Sequence, residues 1–165
     1  MSIWTGILVA LAATLAMEGV AYVAHRWVMH GFLWSLHKSH HEPRTGLFEK
    51  NDWFAFMFAL PSIACIYLGV EAGWHPAWMW VGIGIAGYGA IYFGFHDVIV
   101  HRRIAHGYVP KSAYMKRIVQ AHRLHHVVNS KHGTVSFGFL WAPPVRVLKA
   151  QLERAGGDIR VPTGA

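Results

Sequence analysis

A chain of 165 residues, 54% hydrophobic and only 14% charged, holds one domain and is too apolar for an ordinary soluble fold. Its single cysteine, Cys65, excludes a disulfide framework and a thiolate metal site, so any metal must be held by nitrogen and oxygen. The net charge of +7 comes from basic residues that flank apolar runs, which fits a membrane surface and not the basic stripe of a nucleic-acid-binding fold.

Three apolar runs come in chain order. Residues 3–24 carry one charge, Glu18, while residues 53–70 and 77–95 carry none. At about 1.5 Å per residue, each crosses or nearly crosses a hydrocarbon core of about 30 Å. Pro61 is placed to kink the second, and the glycines of the third permit close helix contact. The stretch "LVALAATLAMEG" carries an A-x-A pattern, but it lacks a basic n-region and His25 follows at once. It therefore reads as a retained helix rather than a signal peptide. An acidic group inside a span is costly and marks function, which makes Glu18 a candidate acceptor for a ligating imidazole or a partner for a basic residue.

The order of the spans predicts sidedness. If the first leaves the bilayer on one side, residues 25–52 and 96–165 share that side, and all fifteen Lys and Arg residues lie there. The positive-inside rule makes that side the cytoplasm and puts the N-terminus opposite. Residues 133–145, "GTVSFGFLWAPPV", are short for a crossing and suit an interfacial, re-entrant or fourth membrane segment. The expected fold is an all-α integral membrane protein. It has one domain over residues 1–154, with three to four transmembrane helices extended into a cytoplasmic helical cap. Residues 155–165 form a Gly/Pro-rich flexible tail.

Ten of the thirteen histidines follow a repeated plan. "HRWVMH" places His25 and His30 after the first span, and "HKSHH" follows with His37, His40 and His41. "HDVIVH" places His96 and His101 after the third span, and "HRLHH" follows with His122, His125 and His126. On a helix, positions i, i+3 and i+4 share a face, so each H-x-x-H-H presents three imidazoles to one side. Positions i and i+5 do not share an α-helical face. Those pairs reach different metals, flank the site, or lie where the helix is distorted. Ten imidazoles exceed one tetrahedral zinc site and match two ions with open positions. Asp97 and Glu42, next to His96 and His41, are candidate carboxylates for orienting a ligand ring. His75 lies in the far-side turn and reads as interfacial, while His106 and His132 stand outside the plan.

These boxes, with "LHKSHHEPRTGLFEKND" before the second span and "HRLHHVVNSKHGTVSFGFLWAP" near the end, resemble the bacterial β-carotene hydroxylase (carotenoid 3-hydroxylase) family. That family lies among the histidine-box membrane hydroxylases that include fatty-acid and sterol hydroxylases. The likeness runs from about Glu18 to Val147, and "FEKND" and "VSFGFLWAP" carry its carotenoid character. It implies a non-haem di-iron monooxygenase in the bacterial inner membrane. Such an enzyme uses O2 and reduced ferredoxin to convert β-carotene through β-cryptoxanthin to zeaxanthin, and hydroxylated or ketolated carotenoids are related substrates. It also implies that all ten boxed histidines are metal ligands, with zinc able to replace iron in a purified sample. The physical reading adds that the aromatics Trp27, Phe32, Trp34, Phe137, Phe139 and Trp141 are candidates for the substrate entrance, and that a basic cytoplasmic face suits an acidic electron donor. Other chemistry on the same scaffold would make the chain a carotenoid 4-ketolase or a fatty-acid or sterol hydroxylase. A histidine-rich metal carrier would place its ligands near the bilayer midplane, and the spans' middles hold no histidine.

Overall fold

The computed structural model describes residues 1–44 and 46–156, and all regular structure among them is helical. The expected flexible tail, from residue 157 onward, lies outside the described residues. Helix α1 spans Ile3–Val23 and is capped by the Ser2 hydroxyl, which accepts from the Thr5 amide at 3.2 Å. Apart from Glu18 it is apolar, and Leu8, Leu11 and Leu15 are exposed, as expected of side chains that face lipid. Helix α2 spans Trp34–His41, and a short 3₁₀ turn at Lys50–Asp52 leads into α3, Trp53–Val70. Helix α4 spans Ala77–Tyr92, α5 Ala113–His125 and α6 Val145–Ala155.

Among the described residues, three helices are long and apolar enough to cross a membrane: Ile3–Phe32, Lys50–Val70 and Ala77–Val100. Helix α4 binds both neighbours through its glycines. A side chain at Gly82 would strike Ser62 and Ile66 of α3, and one at Gly84 would strike Ala10 and Ala13 of α1. The same close approach lets Ser62 Oγ donate to Gly82 O at 2.7 Å and Thr14 Oγ1 donate to Gly84 O at 2.9 Å. Inside a membrane such bonds replace the hydrophobic force that drives helix packing in water.

The first and third spans do not end as α-helices. Each runs into a π-helical segment, Ala24–Phe32 after α1 and Phe93–Val100 after α4. There the amide of residue i+5 donates to residue i, as His101 N does to His96 O at 3.0 Å and Leu33 N to Val28 O at 3.0 Å. This brings residues five apart onto one face, which an α-helix cannot do. The distorted helix is therefore how the two H-x4-H pairs converge.

Above the spans, α5 starts at the Ser112 cap, and α6 lies against it through the buried Leu148 and Leu152. With Ile118, Val119, Val128, Val135 and Phe139, these form the apolar core of the cap. Between His126 and Pro144 the chain makes no helix. Residues 133–144 form an irregular strap that lies across the histidines.

Candidate metal centre

All ten boxed histidines meet in the cap. His40, His96, His101, His122 and His126 form one cluster and His25, His30, His37 and His125 another, with ring nitrogens within 4.8 Å of one another in each. His41 groups with His125 and His126, between the two. Eight of the ten are buried, and His101 and His126 are partly so. The other histidines stand apart. His106 Nε2 donates to Val98 O at 2.7 Å, His75 accepts from the Ala77 amide in the far-side turn, and His132 is exposed.

The orientation of the rings follows from what each Nδ1 faces. Nδ1 of His25 donates to Phe137 O at 3.0 Å, of His30 to Lys131 O at 3.1 Å, and of His125 to Val135 O at 2.9 Å. His41 Nδ1 donates to Val128 O at 2.9 Å and His37 Nδ1 to Asn51 Oδ1 at 2.7 Å. The last two acceptors are carboxylates: Glu49 takes His40 Nδ1 at 3.2 Å and Asp97 takes His96 Nδ1 at 2.7 Å. The proton of a neutral ring is thus committed to Nδ1, leaving Nε2 as a bare acceptor.

Those Nε2 atoms point at one another. His25 meets His37 at 3.2 Å, His30 meets His125 at 3.2 Å, and His40 meets His96 at 3.0 Å. In all three pairs both rings hold their proton on Nδ1, so two lone pairs face each other with nothing between them. His122 Nε2 likewise lies 2.9 Å from both His101 and His126. A cation removes the conflict. Two nitrogens bound at right angles to one metal at about 2.1 Å lie ~3.0 Å apart, which matches the separations observed. Protons are poor candidates, because burial first and neighbouring imidazoles next hold His40, His122, His125 and His126 well below the usual histidine pKa. The residues fit metal ions.

A second ring of contacts braces the rings. Arg103 donates to Asp52 at 2.6 Å and lies 3.7 Å from Asp97 and 4.0 Å from Glu49. Burial raises the Glu49 carboxyl above its usual pKa, and Arg103 opposes that shift. The motif "FEKND" thus supplies acceptors to two histidines through Glu49 and Asn51, and anchors Arg103 through Asp52. Asp97 contacts His96, the neighbour it has in sequence. Glu42 turns to solvent and pairs with Lys38 at 3.3 Å. Among the described residues, Glu18 bonds to no histidine and no basic residue. Its Oε1 accepts the amides of Phe139, Leu140 and Trp141 at 2.9, 2.9 and 3.1 Å, and its Oε2 accepts Tyr88 OH at 2.8 Å.

Beneath the histidines lies an apolar cavity of about 690 Å³ between α1, α3 and α4. Its wall takes in Asn51 and Asp52 of the 3₁₀ turn and then runs along α3 from Phe54 to Ile66, about 18 Å of helix. The exposed Ala59, Ala86 and Gly89 on its rim open it toward lipid. Two aromatic rings close its inner end. Tyr92 stacks on His96, with centroids 4.4 Å apart, and Phe139 stacks on His25 at 5.2 Å. Tyr92 thus stands between the cavity and the His96 cluster, and Phe139 touches both clusters, with His96 at 5.4 Å as well as His25. Of the aromatics expected at an entrance, Phe139 lines the cavity, Phe137 and Trp34 pack on histidines, and Trp27, Phe32 and Trp141 are exposed.

An all-helical membrane protein with two buried histidine clusters above an apolar cavity is a membrane-bound metalloprotein of the histidine-box type. The chain belongs to the fatty acid hydroxylase family, whose model matches residues 10–143. It is similar to the β-carotene hydroxylase of Pantoea ananas, 46% identical over 155 residues that cover 94% of this chain and 87% of that protein. Similarity to the β-carotene hydroxylase of Paracoccus sp. (strain PC1) is 47% over 153 residues, covering 92% of this chain and 93% of that one. The chloroplastic β-carotene 3-hydroxylase 2 of Arabidopsis thaliana is 36% identical over 150 residues, 90% of this chain and 47% of that one. No solved structure matches the chain.

Proposed function

We propose that this protein is a β-carotene 3-hydroxylase, a di-iron monooxygenase that converts β-carotene through β-cryptoxanthin to zeaxanthin. The observation that carries the reading is the apolar cavity that opens toward lipid and ends on Tyr92 and Phe139, rings that pack directly on the two histidine clusters. The β-carotene hydroxylases among its relatives, 44–47% identical over most of the chain, support the substrate.

His40, His96, His101, His122 and His126 hold one ion; His25, His30, His37 and His125 hold the other, with His41 as its fifth ligand. His41 has its ring centroid 5.0 Å from His30 and His37 and 4.9 Å from His125. Imidazole nitrogen accepts zinc as readily as iron, but oxidation of a C–H bond needs a redox-active metal. Iron bound there supplies the reduction of O2 and the oxidation of C–H, so that R–H, O2, two electrons and two protons give R–OH and water.

The chain's own residues do the rest. The walls of the cavity take the polyene out of lipid without exposing it to water, and Tyr92 and Phe139 fix how far the ring advances. The Nδ1 acceptors of seven of the ten rings hold their Nε2 atoms on target before metal or substrate arrives, so little reorganisation remains there. A second, more open cavity of about 370 Å³, bordered by His40, His41, His101, His126 and Arg123, reaches the clusters separately. It is where reduced ferredoxin docks, on the cytoplasmic face that carries the basic residues.

The test is expression in cells that accumulate β-carotene under 18O2, with carotenoids resolved by chromatography and mass spectrometry. Labelled mono- and dihydroxy products, absent with His122→Ala, are expected. Keto products would move the chain to the 4-ketolases, and unchanged β-carotene in iron-replete, reductant-supplied membranes would refute a carotenoid substrate.

A further inference from the structure

The two clusters are near-identical in their ligands and unlike in what stands behind them. Behind the His25 cluster every Nδ1 acceptor is neutral: the carbonyls of Phe137, Lys131 and Val135 and the amide oxygen of Asn51. His41, beside that cluster, also faces a carbonyl, that of Val128. Behind the His96 cluster two acceptors are carboxylates, Glu49 on His40 and Asp97 on His96. Asp52 adds a third negative charge nearby, and one guanidinium, Arg103, faces all three. Three carboxylates contact that one guanidinium, with Arg44 acting on Glu49 from farther off, so the charge behind this cluster is net negative, whereas each Nδ1 acceptor of the His25 cluster is uncharged.

A carboxylate that accepts an imidazole N–H makes the opposite nitrogen a stronger donor, and its charge attracts a divalent ion directly. A neutral carbonyl orients the ring without adding charge. We propose that the two metal positions are inequivalent. The His40/His96/His101/His122/His126 position fills first and empties last, and its grip depends on the charges of Glu49 and Asp97. The His25-side position is the exchangeable one. This rests on the two-ion reading above. In the repeated plan His37 and His122 are equivalent, as are His40 and His125, so ligand type does not distinguish the positions and the charge behind them does.

The test uses the full chain in detergent, loaded with zinc because zinc is redox-silent, then exposed to graded chelator with the retained zinc measured by mass spectrometry. Two release steps are expected, separated by about tenfold or more in chelator, the scale of outer-contact effects on metal affinity. Glu49→Gln keeps an acceptor for His40 but removes the charge, so the late step moves about tenfold toward the early one. Asn51→Asp places a carboxylate behind His37, so the early step moves about tenfold later. That variant gains grip, so a folding defect cannot imitate it. Release in a single step overturns the proposal, and so do two steps that ignore both substitutions. A chain that takes up fewer than two zinc ions at saturation overturns the two-ion reading itself, a failure seen in the loading stoichiometry before any chelator is added.

Discussion

Replacing Glu18 with alanine tests whether a carboxylate that touches no ligand nonetheless governs the metal centre. Its two oxygens receive three strap amides and the Tyr88 hydroxyl, at 2.8–3.1 Å. The Trp141 amide is exposed and finds water, whereas Phe139 N, Leu140 N and Tyr88 OH are part-buried. Stranding three such donors at about 1–3 kcal/mol each costs ~3–6 kcal/mol once water at the rim is allowed for. That is a large share of the ~5–15 kcal/mol typical of folded domains. Glu18→Gln keeps the acceptor but loses the charge, and charged bonds are about twice as strong, so its cost is ~2 kcal/mol. The strap that Glu18 holds also carries Val135 O and Phe137 O, the acceptors for His125 and His25. Metal bound at the His25 side therefore loosens with the strap. Thermal melts in detergent and zinc retained after chelator dialysis measure the two effects, ordered wild type, Gln, Ala. Wild-type melting and metal retention in Glu18→Ala would refute the reasoning.

Gly89 lines the cavity and a Cβ there meets no atom within 4 Å, so Gly89→Phe fills the cavity without disturbing the fold. β-Carotene turnover should fall tenfold or more at unchanged metal content; equal loss of metal would show that the cavity is not the substrate's path. His40→Ala removes the one ligand of the carboxylate-backed position that comes from α2. Metal content should drop toward one ion per chain, read by elemental analysis, and two ions retained would remove His40 from the ligand set. Acidification should destabilise the metal-free protein. Burial first holds His40, His122, His125 and His126 well below their usual pKa, so below about pH 6.5 the unfolded chain binds more protons and stability falls by ~1.4 kcal/mol per pH unit for each such ring. A melting temperature constant from pH 8 to pH 5 would contradict this.

What could be read from the sequence divides by mechanism. The ten histidines were legible because ligation needs that side chain and the spacing repeats, and the spans because bilayer thickness dictates run length. The strap was illegible for the opposite reason. It acts through backbone carbonyls at Val135 and Phe137, as the segment just before it does at Lys131, and a carbonyl leaves no mark on residue identity. Glu49 and Asn51 were visible only as part of a family signature, since a polar loop looks the same whether it is solvated or folded onto imidazoles. Adjacency predicted Asp97 and Glu42 equally, but only Asp97 faces its histidine, because Glu42 lies past the end of α2 and turns outward to Lys38. The five-residue spacing was the subtler signal. Read against an α-helix it separates the pair, and read as a π turn it joins them.

The repeat also shows why neither half can act alone. Aligning the two halves pairs His25 with His96, His30 with His101, His37 with His122, His40 with His125 and His41 with His126. In space the middle histidine of each H-x-x-H-H changes sides: His40 joins the cluster of the second half, and His125 joins that of the first. His41 and His126 stack at 4.5 Å where the clusters meet. Each position therefore needs a ligand from the opposite half, and α2 and α5 must lie side by side for either to form. That requirement accounts for the topology. An odd number of spans between the boxes would put them on opposite faces of the membrane, and the α3–α4 hairpin, two spans with a far-side turn, returns the chain to the face it left.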